Sequence, residues 1–154
     1  MPTINPTLAE MEAFERATPD SQPIVMLNLL KFRDLADYAA GGTGREAYER
    51  YSQAVLPLLL KAGGKPLWLG EARAGVIVPD GESWDEVLLV HYPSRAAFLQ
   101  MVKSDAYQRI MHHRTAALSD SRLIETRAVP LPKWVLAAAG GLSRLKTLFR
   151  PAIG

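Results

Sequence analysis

Seven of the nine residues from Ile24 to Phe32 (IVMLNLLKF) are apolar, and only Asn28 and Lys31 interrupt them. A short, nearly continuous apolar run is what a strand covered on both faces requires, although its length also fits a piece of buried helix. Pro23 ahead of it and the polar stretch behind it favour the strand. Side chains alternate along a strand, so Val25, Leu27 and Leu29 project to one side and Ile24, Met26 and Leu30 to the other. Whatever surrounds this segment must cover two faces.

The rest of the chain supplies cover for one. Thr7 and Glu10 have the spacing of a capping box, which predicts a helix through about Arg16, ended by Pro19 and Pro23. Arg33 to Gly44 is a long connection or lid, rich in glycine at its end. Thr43 and Glu46 repeat the capping box and open a helix in which Tyr48, Tyr51, Val55, Leu58 and Leu59 recur at three- and four-residue spacing. Pro57 should kink that helix, and Gly63-Gly64 should stop it. Strands are predicted over Lys65–Arg73, with an extension from Gly75 to Pro79, and over Trp84–Tyr92. Ser94 caps a helix to Lys103, Asp105 caps another to Leu118, and a last strand runs from Asp120 to Val129.

The order strand, helix, two strands, helix pair, strand predicts an α+β fold: a ferredoxin-like βαββαβ domain with a four-stranded antiparallel sheet. An N-terminal helix and a C-terminal helical tail extend it. At 154 residues and 48% hydrophobic content the chain fills one core, assigned to residues 1–130, and not comfortably two. Helices on one side leave the second side of the sheet apolar and bare, so a symmetric partner, a homodimer, is expected to cover it.

Composition excludes more than it assigns. With no cysteine there are no disulfides, thiolate metal sites or cysteine nucleophile, and a reducing cytoplasm suits the chain. Met1 to Glu10 lacks the features of a signal peptide, and no run approaches the length needed to cross a bilayer, so a soluble, cytoplasmic protein is expected. Four of the 18 basic residues (Lys133, Arg144, Lys146 and Arg150) lie beyond Leu131 with no acid among them, which leaves 14 against all 16 acids in residues 1–130. The body is mildly acidic and shows no basic stripe with interleaved aromatics, which argues against nucleic acid. The tail, residues 131–154, is basic and amphipathic. It fits packing on a partner subunit, or disorder, better than contact with an anionic membrane.

Two segments, AYERYSQAVLPLLLKAGGKPLWLGEA and HYPSRAAFLQMVKSDAYQ, resemble the bacterial family known as domain of unknown function thirteen-thirty, of the dimeric α+β barrel superfamily. The Gly63-Gly64 helix exit and the Tyr92-Pro93-Ser94-Arg95 turn carry most of the likeness, which spans roughly residues 24–128. The resemblance implies the fold and dimerisation. It implies little chemistry, because related barrels include cofactor-independent monooxygenases, lactone isomerases, haem proteins and members without known activity.

Candidate site residues are polar groups where apolar ones are expected. Asn28 and Lys31 point to opposite faces of the first strand, the lysine with its head in water. Tyr107, Ile110, Met111 and Arg114 share one helix face with His113 at its margin, so Arg114 is a candidate to bind a carboxylate or enolate oxygen and His113 to move a proton. The competing role for Arg114 is structural, bonded to a strand carboxylate or carbonyl. Adjacent histidines diverge by about 100° on a helix, so His112 and His113 do not grip one metal, and no metal or cofactor is expected. His91 should face the barrel interior between subunits, as an interface histidine, a general base or a haem ligand. Tyr48, Tyr51 and Trp68 are expected to shape an apolar pocket between the kinked helix and the sheet. The leading expectation is a homodimeric barrel binding an apolar or aromatic metabolite, with monooxygenase- or isomerase-like activity as its enzymatic version. The alternatives are an interaction module acting through its tail and a haem-binding barrel through His91 or His113.

Overall fold

The computed structural model describes residues 3–17, 21–130 and 132–135. The elements are α1 (Leu8–Arg16), β1 (Ile24–Phe32), α2 (Gly44–Lys61), β2 (Lys65–Glu71), β3 (Glu86–Tyr92), α3 (Arg95–Lys103), α4 (Asp105–Ala117) and β4 (Leu118–Thr126). The strands form one sheet in the order β2-β3-β1-β4, every neighbouring pair antiparallel. This is the expected ferredoxin-like βαββαβ arrangement: β1, the most apolar strand, lies inside the sheet, and α2 and the α3–α4 pair connect strands that are not neighbours.

Both predicted capping boxes are formed, Thr7 with Glu10 and Thr43 with Glu46, each side chain satisfying the other's backbone amide. Helix α2 runs without a break through Pro57, its buried face made by Ala47, Tyr48, Tyr51 and Leu59. Gly63, at φ +74°, follows it. Between α3 and α4 the cap is Ser104, not Asp105. Its hydroxyl donates to Met101 O at 2.7 Å and accepts from Tyr107 N at 3.2 Å, ending one helix and starting the next. Asp105 takes the first helical position, where a negative charge suits the helix dipole.

Three strand limits differ from expectation. β2 stops at Glu71, and the stretch expected to extend it carries Val76 and Ile77 almost fully in the open, because no strand pairs with it. β3 begins at Glu86 instead of Trp84. β4 starts at Leu118, directly after α4, and ends at Thr126. The Arg33–Gly44 connection is pinned in place: the Arg33 and Asp37 amides donate to Ala117 O and Ala116 O at 2.9 and 3.0 Å.

The faces of the sheet divide as the alternation of β1 predicts. Ile24, Met26 and Leu30 are buried under the helices with Val90 and Tyr92 of β3. Val25, Leu27 and Leu29 face the other way, in register with His91, Leu89 and Val87 of β3 and with Thr126, Ile124 and Arg122 of β4. No described helix covers that side, and these apolar residues are half-buried or exposed. The predicted tail beyond residue 135 lies outside the described residues.

Candidate functional site

Two adjoining cavities lie on the helix side of the sheet, of about 570 Å3 and about 270 Å3. The larger is bounded by the N-terminal segment, α1, α3, α4 and β4; the smaller by α2, α3, α4 and the sheet. Met26, Phe98, Val102, Tyr107, Arg114 and Leu123 line both, so the two meet around Tyr107 and Arg114.

The smaller cavity takes its polar atoms from four elements, β1, α2, β3 and α4. Asn28, inward on β1, donates its side-chain amide to Met26 O and Leu88 O at 3.2 Å each. Tyr48 and Tyr51, three residues apart on α2, present adjacent rings with centroids 5.4 Å apart. The Tyr51 and Tyr107 hydroxyls share a hydrogen bond of 3.1 Å. Burial pushes the ionisation of Tyr48 and Tyr51 far above the usual phenol range, so both hydroxyls remain neutral. Glu86 is the acid on this wall and is engaged by Arg45 at 3.2 Å.

Arg114 is the unusual group. It is 8% exposed, yet its partners are neutral: Ile4 O at 2.6 Å, Asn5 Oδ1 at 3.2 Å and Ser121 Oγ at 3.0 Å. Among the described residues no carboxylate pairs with it, and its Nε–H has no acceptor. The N-terminal segment that supplies two of these oxygens is itself fastened to β4. Ser121 N donates to Thr3 O, and Thr3 N to the Asp120 carboxylate, each at 2.7 Å. A buried guanidinium in largely apolar surroundings carries a desolvation cost that neutral oxygens offset only in part, and an anion is its strongest complement.

The family profile described as domain of unknown function (DUF1330) matches residues 42–126, more than half of the chain. The chain belongs to that family. The crystal structure of a protein of unknown function from Rhodopseudomonas palustris is 38% identical, with a TM-score of 0.80 over 85% of this chain and 100% of that one. Hydroxynitrile lyase from Passiflora edulis shares the fold at 10% identity, with a TM-score of 0.53 over 73% of this chain and 100% of its own. A dimeric protein of ferredoxin-like fold from Bacteroides fragilis is 11% identical at a TM-score of 0.45, covering 72% of this chain and 100% of its own. No curated protein matches.

Within this DUF1330 member, Asn28, Tyr48, Tyr51 and Arg114 line the smaller cavity, and Arg114 lines the larger as well. Trp68 corrects the expected grouping: it lies on the open face of the sheet, with its ring where a Cβ on Gly70 would be. The bulge between Pro66 and Trp68 sets the pairing in which Trp68 stands opposite Leu89. His113 also departs from it. It lines neither cavity, and its Nδ1 shares a hydrogen with the Tyr38 hydroxyl, so it does not meet Arg114 at one ligand. Burial first, then the nearby His112 and Arg50, hold the His113 pKa below its ordinary value. His91 stands on the open face as expected, with Nδ1 buried and unpartnered among the described residues.

Sequence reasoning missed Ser121 and the N-terminal oxygens. The phase that turns Leu123 inward also turns Ser121 inward, a readable signal. The carbonyl of Ile4 leaves no trace in a sequence. No group of three His, Cys, Asp or Glu side chains among the described residues is placed to hold a metal ion, and no described helix is long and apolar enough to cross a membrane.

Proposed function

We propose that this chain is a homodimeric small-molecule-binding barrel whose helix-side cavity takes an apolar or aromatic metabolite bearing an acidic oxygen. The observation that carries the reading is Arg114: buried, lining both cavities, and without a carboxylate among the described residues. Apolar walls with a few convergent polar atoms are the usual make-up of a small-molecule site. Here those atoms are the Arg114 guanidinium, the Tyr48, Tyr51 and Tyr107 hydroxyls and the Asn28 amide. They can hold an anion and donate to a carbonyl. Because His113 lies outside the cavities and Glu86 is engaged by Arg45, binding is the function this geometry supports, ahead of proton abstraction.

Self-association follows from the opposite face. Val25, Leu27, Leu29, Val87, Leu89 and Ile124 form a contiguous apolar patch with Trp68 at its edge, larger than scattered exposed residues make. A second copy meeting it through a two-fold axis covers both patches at once.

Calorimetric titration with 3-phenylpropanoate tests the site. Arg114→Met should weaken binding about 10- to 100-fold, as expected for loss of a charge-assisted hydrogen bond in a dry site, with Arg114→Lys intermediate. Unchanged binding in both folded variants would sink the proposal.

A further inference from the structure

The smaller cavity, at about 270 Å3, falls just below the range usual for a small-molecule site, whereas the larger, at about 570 Å3, sits well inside it. The larger chamber is also differently built. Its apolar wall is Met11 and Phe14 of α1, Phe98 and Val102 of α3, Met111 of α4 and Leu123 of β4. Met26 of β1 also lines it, so three unbranched thioether side chains face the space. Such side chains adapt to a flexible occupant better than branched or aromatic ones do.

The charges around the chamber differ in availability. Lys103 is engaged by Glu15 at 2.5 Å, and Arg122 by Asp120 at 2.6 Å. Arg114 has no acid partner among the described residues and keeps an Nε–H without an acceptor there. Glu10, the acid on this lining, is engaged by the Thr7 amide and hydroxyl at 2.7 and 2.8 Å, so the chamber offers one anion-binding point, Arg114, with the apolar wall beside it. That pattern complements a single carboxylate on a long apolar chain. A phosphate or dicarboxylate would leave charge without a partner among those walls.

We infer that the ligand is an elongated amphipathic monocarboxylate, of the fatty-acid class, with its head on Arg114 and its chain in the chamber walled by α1. This rests on the reading of Arg114 as an anion anchor and adds the ligand class. It also gives α1 a task. Residues 3–17 form the outer wall of the chamber, so chain-length selectivity belongs to this N-terminal segment and the anion anchor to α4.

The test is calorimetric titration of the full chain with butanoate, hexanoate, octanoate and decanoate, beside decanol and 3-phenylpropanoate. Affinity should rise about fourfold for each added methylene until the chamber is full, and decanol should bind at least about tenfold more weakly than decanoate. Met11→Trp, which fills the chamber, should remove the gain in affinity of decanoate over butanoate. Met111→Phe carries the same expectation from α4 if α1 fails to pack around tryptophan. Affinity independent of chain length, or decanoate binding indifferent to both filling variants, overturns the inference. If 3-phenylpropanoate still binds through Arg114 in that case, the anion-anchor reading stands. If no carboxylate binds, both fall.

Discussion

The two sides of strand β1 carry nearly the same amino acids and have opposite fates. Ile24 and Leu30 are fully buried and Met26 is 3% exposed, whereas Val25, Leu27 and Leu29, their immediate neighbours, retain contact with solvent. Hydrophobicity does not distinguish the two sets. What does is the supply of helices: α2, α3 and α4 occupy one side, and the chain has no further described element to lay on the other. The sides also differ in their polar atoms. Under the helices, Asn28 and Arg114 find oxygens within the chain, while on the open side the His91 Nδ1 is shut off from solvent with no described partner. The covered side satisfies the Asn28 amide within the chain and leaves Arg114 to neutral oxygens, whereas the open side leaves a buried ring nitrogen without a described partner.

The most drastic way to break this comparison is to charge the open side. Leu27 and Leu89 stand opposite each other in register, so Leu27→Lys with Leu89→Lys places two like charges face to face in the proposed interface. Association should weaken roughly a thousandfold, since each unpaired buried charge is costly. Sedimentation should then report a 16.9 kDa particle with its far-ultraviolet circular dichroism intact. A double variant that keeps the mass of a dimer would show that the partner sits elsewhere. The next effect belongs to the covered side. Leu30→Ala removes a fully buried side chain and should cost about 3 kcal/mol in urea unfolding, the middle of the range for such truncations, without changing subunit mass at fixed folding. A cost below about 1 kcal/mol would mean that the helix layer is looser than its burial implies.

The same contrast explains what the sequence could and could not disclose. Alternation along Ile24–Phe32 disclosed both faces, and the capping pairs Thr7/Glu10 and Thr43/Glu46 located two helix starts, because these signals are local. Helix period placed Tyr107, Ile110, Met111 and Arg114 on one face; Tyr107, Met111 and Arg114 reach the larger cavity, while Ile110 packs against the core cluster of Leu30, Tyr48 and Tyr51. The failures have a different cause. Trp68 was assigned to the wrong side because a bulge between Pro66 and Trp68 resets the period of β2, and a bulge depends on pairing with β3. His113 was grouped with Arg114 from one helix margin, but Tyr38, brought in by the Arg33–Gly44 connection, holds it elsewhere. Ser104 displaced Asp105 as a cap because its hydroxyl serves both helices at once. The N-terminal carbonyl on Arg114 is a contact across more than a hundred residues, and no local pattern encodes it.

The smallest expected effect probes the covered layer through His113. Its folded pKa lies below the ordinary histidine value, from burial first and then from His112 and Arg50, so folding disfavours the charged ring. Between the two values the unfolded chain binds more protons than the folded one, and stability rises with pH. Acidification from about pH 7 to about pH 5 should therefore lower the urea midpoint slightly. Glu10, Glu46 and Asp120 are held below the usual carboxylate range, so their contribution is lost at lower pH and leaves this window largely to histidine. His113→Gln, which removes the titrating ring and keeps a polar side chain beside Tyr38, should flatten the slope, whereas Leu30→Ala should shift the whole curve and keep it. An unchanged slope in His113→Gln would place the proton on another group.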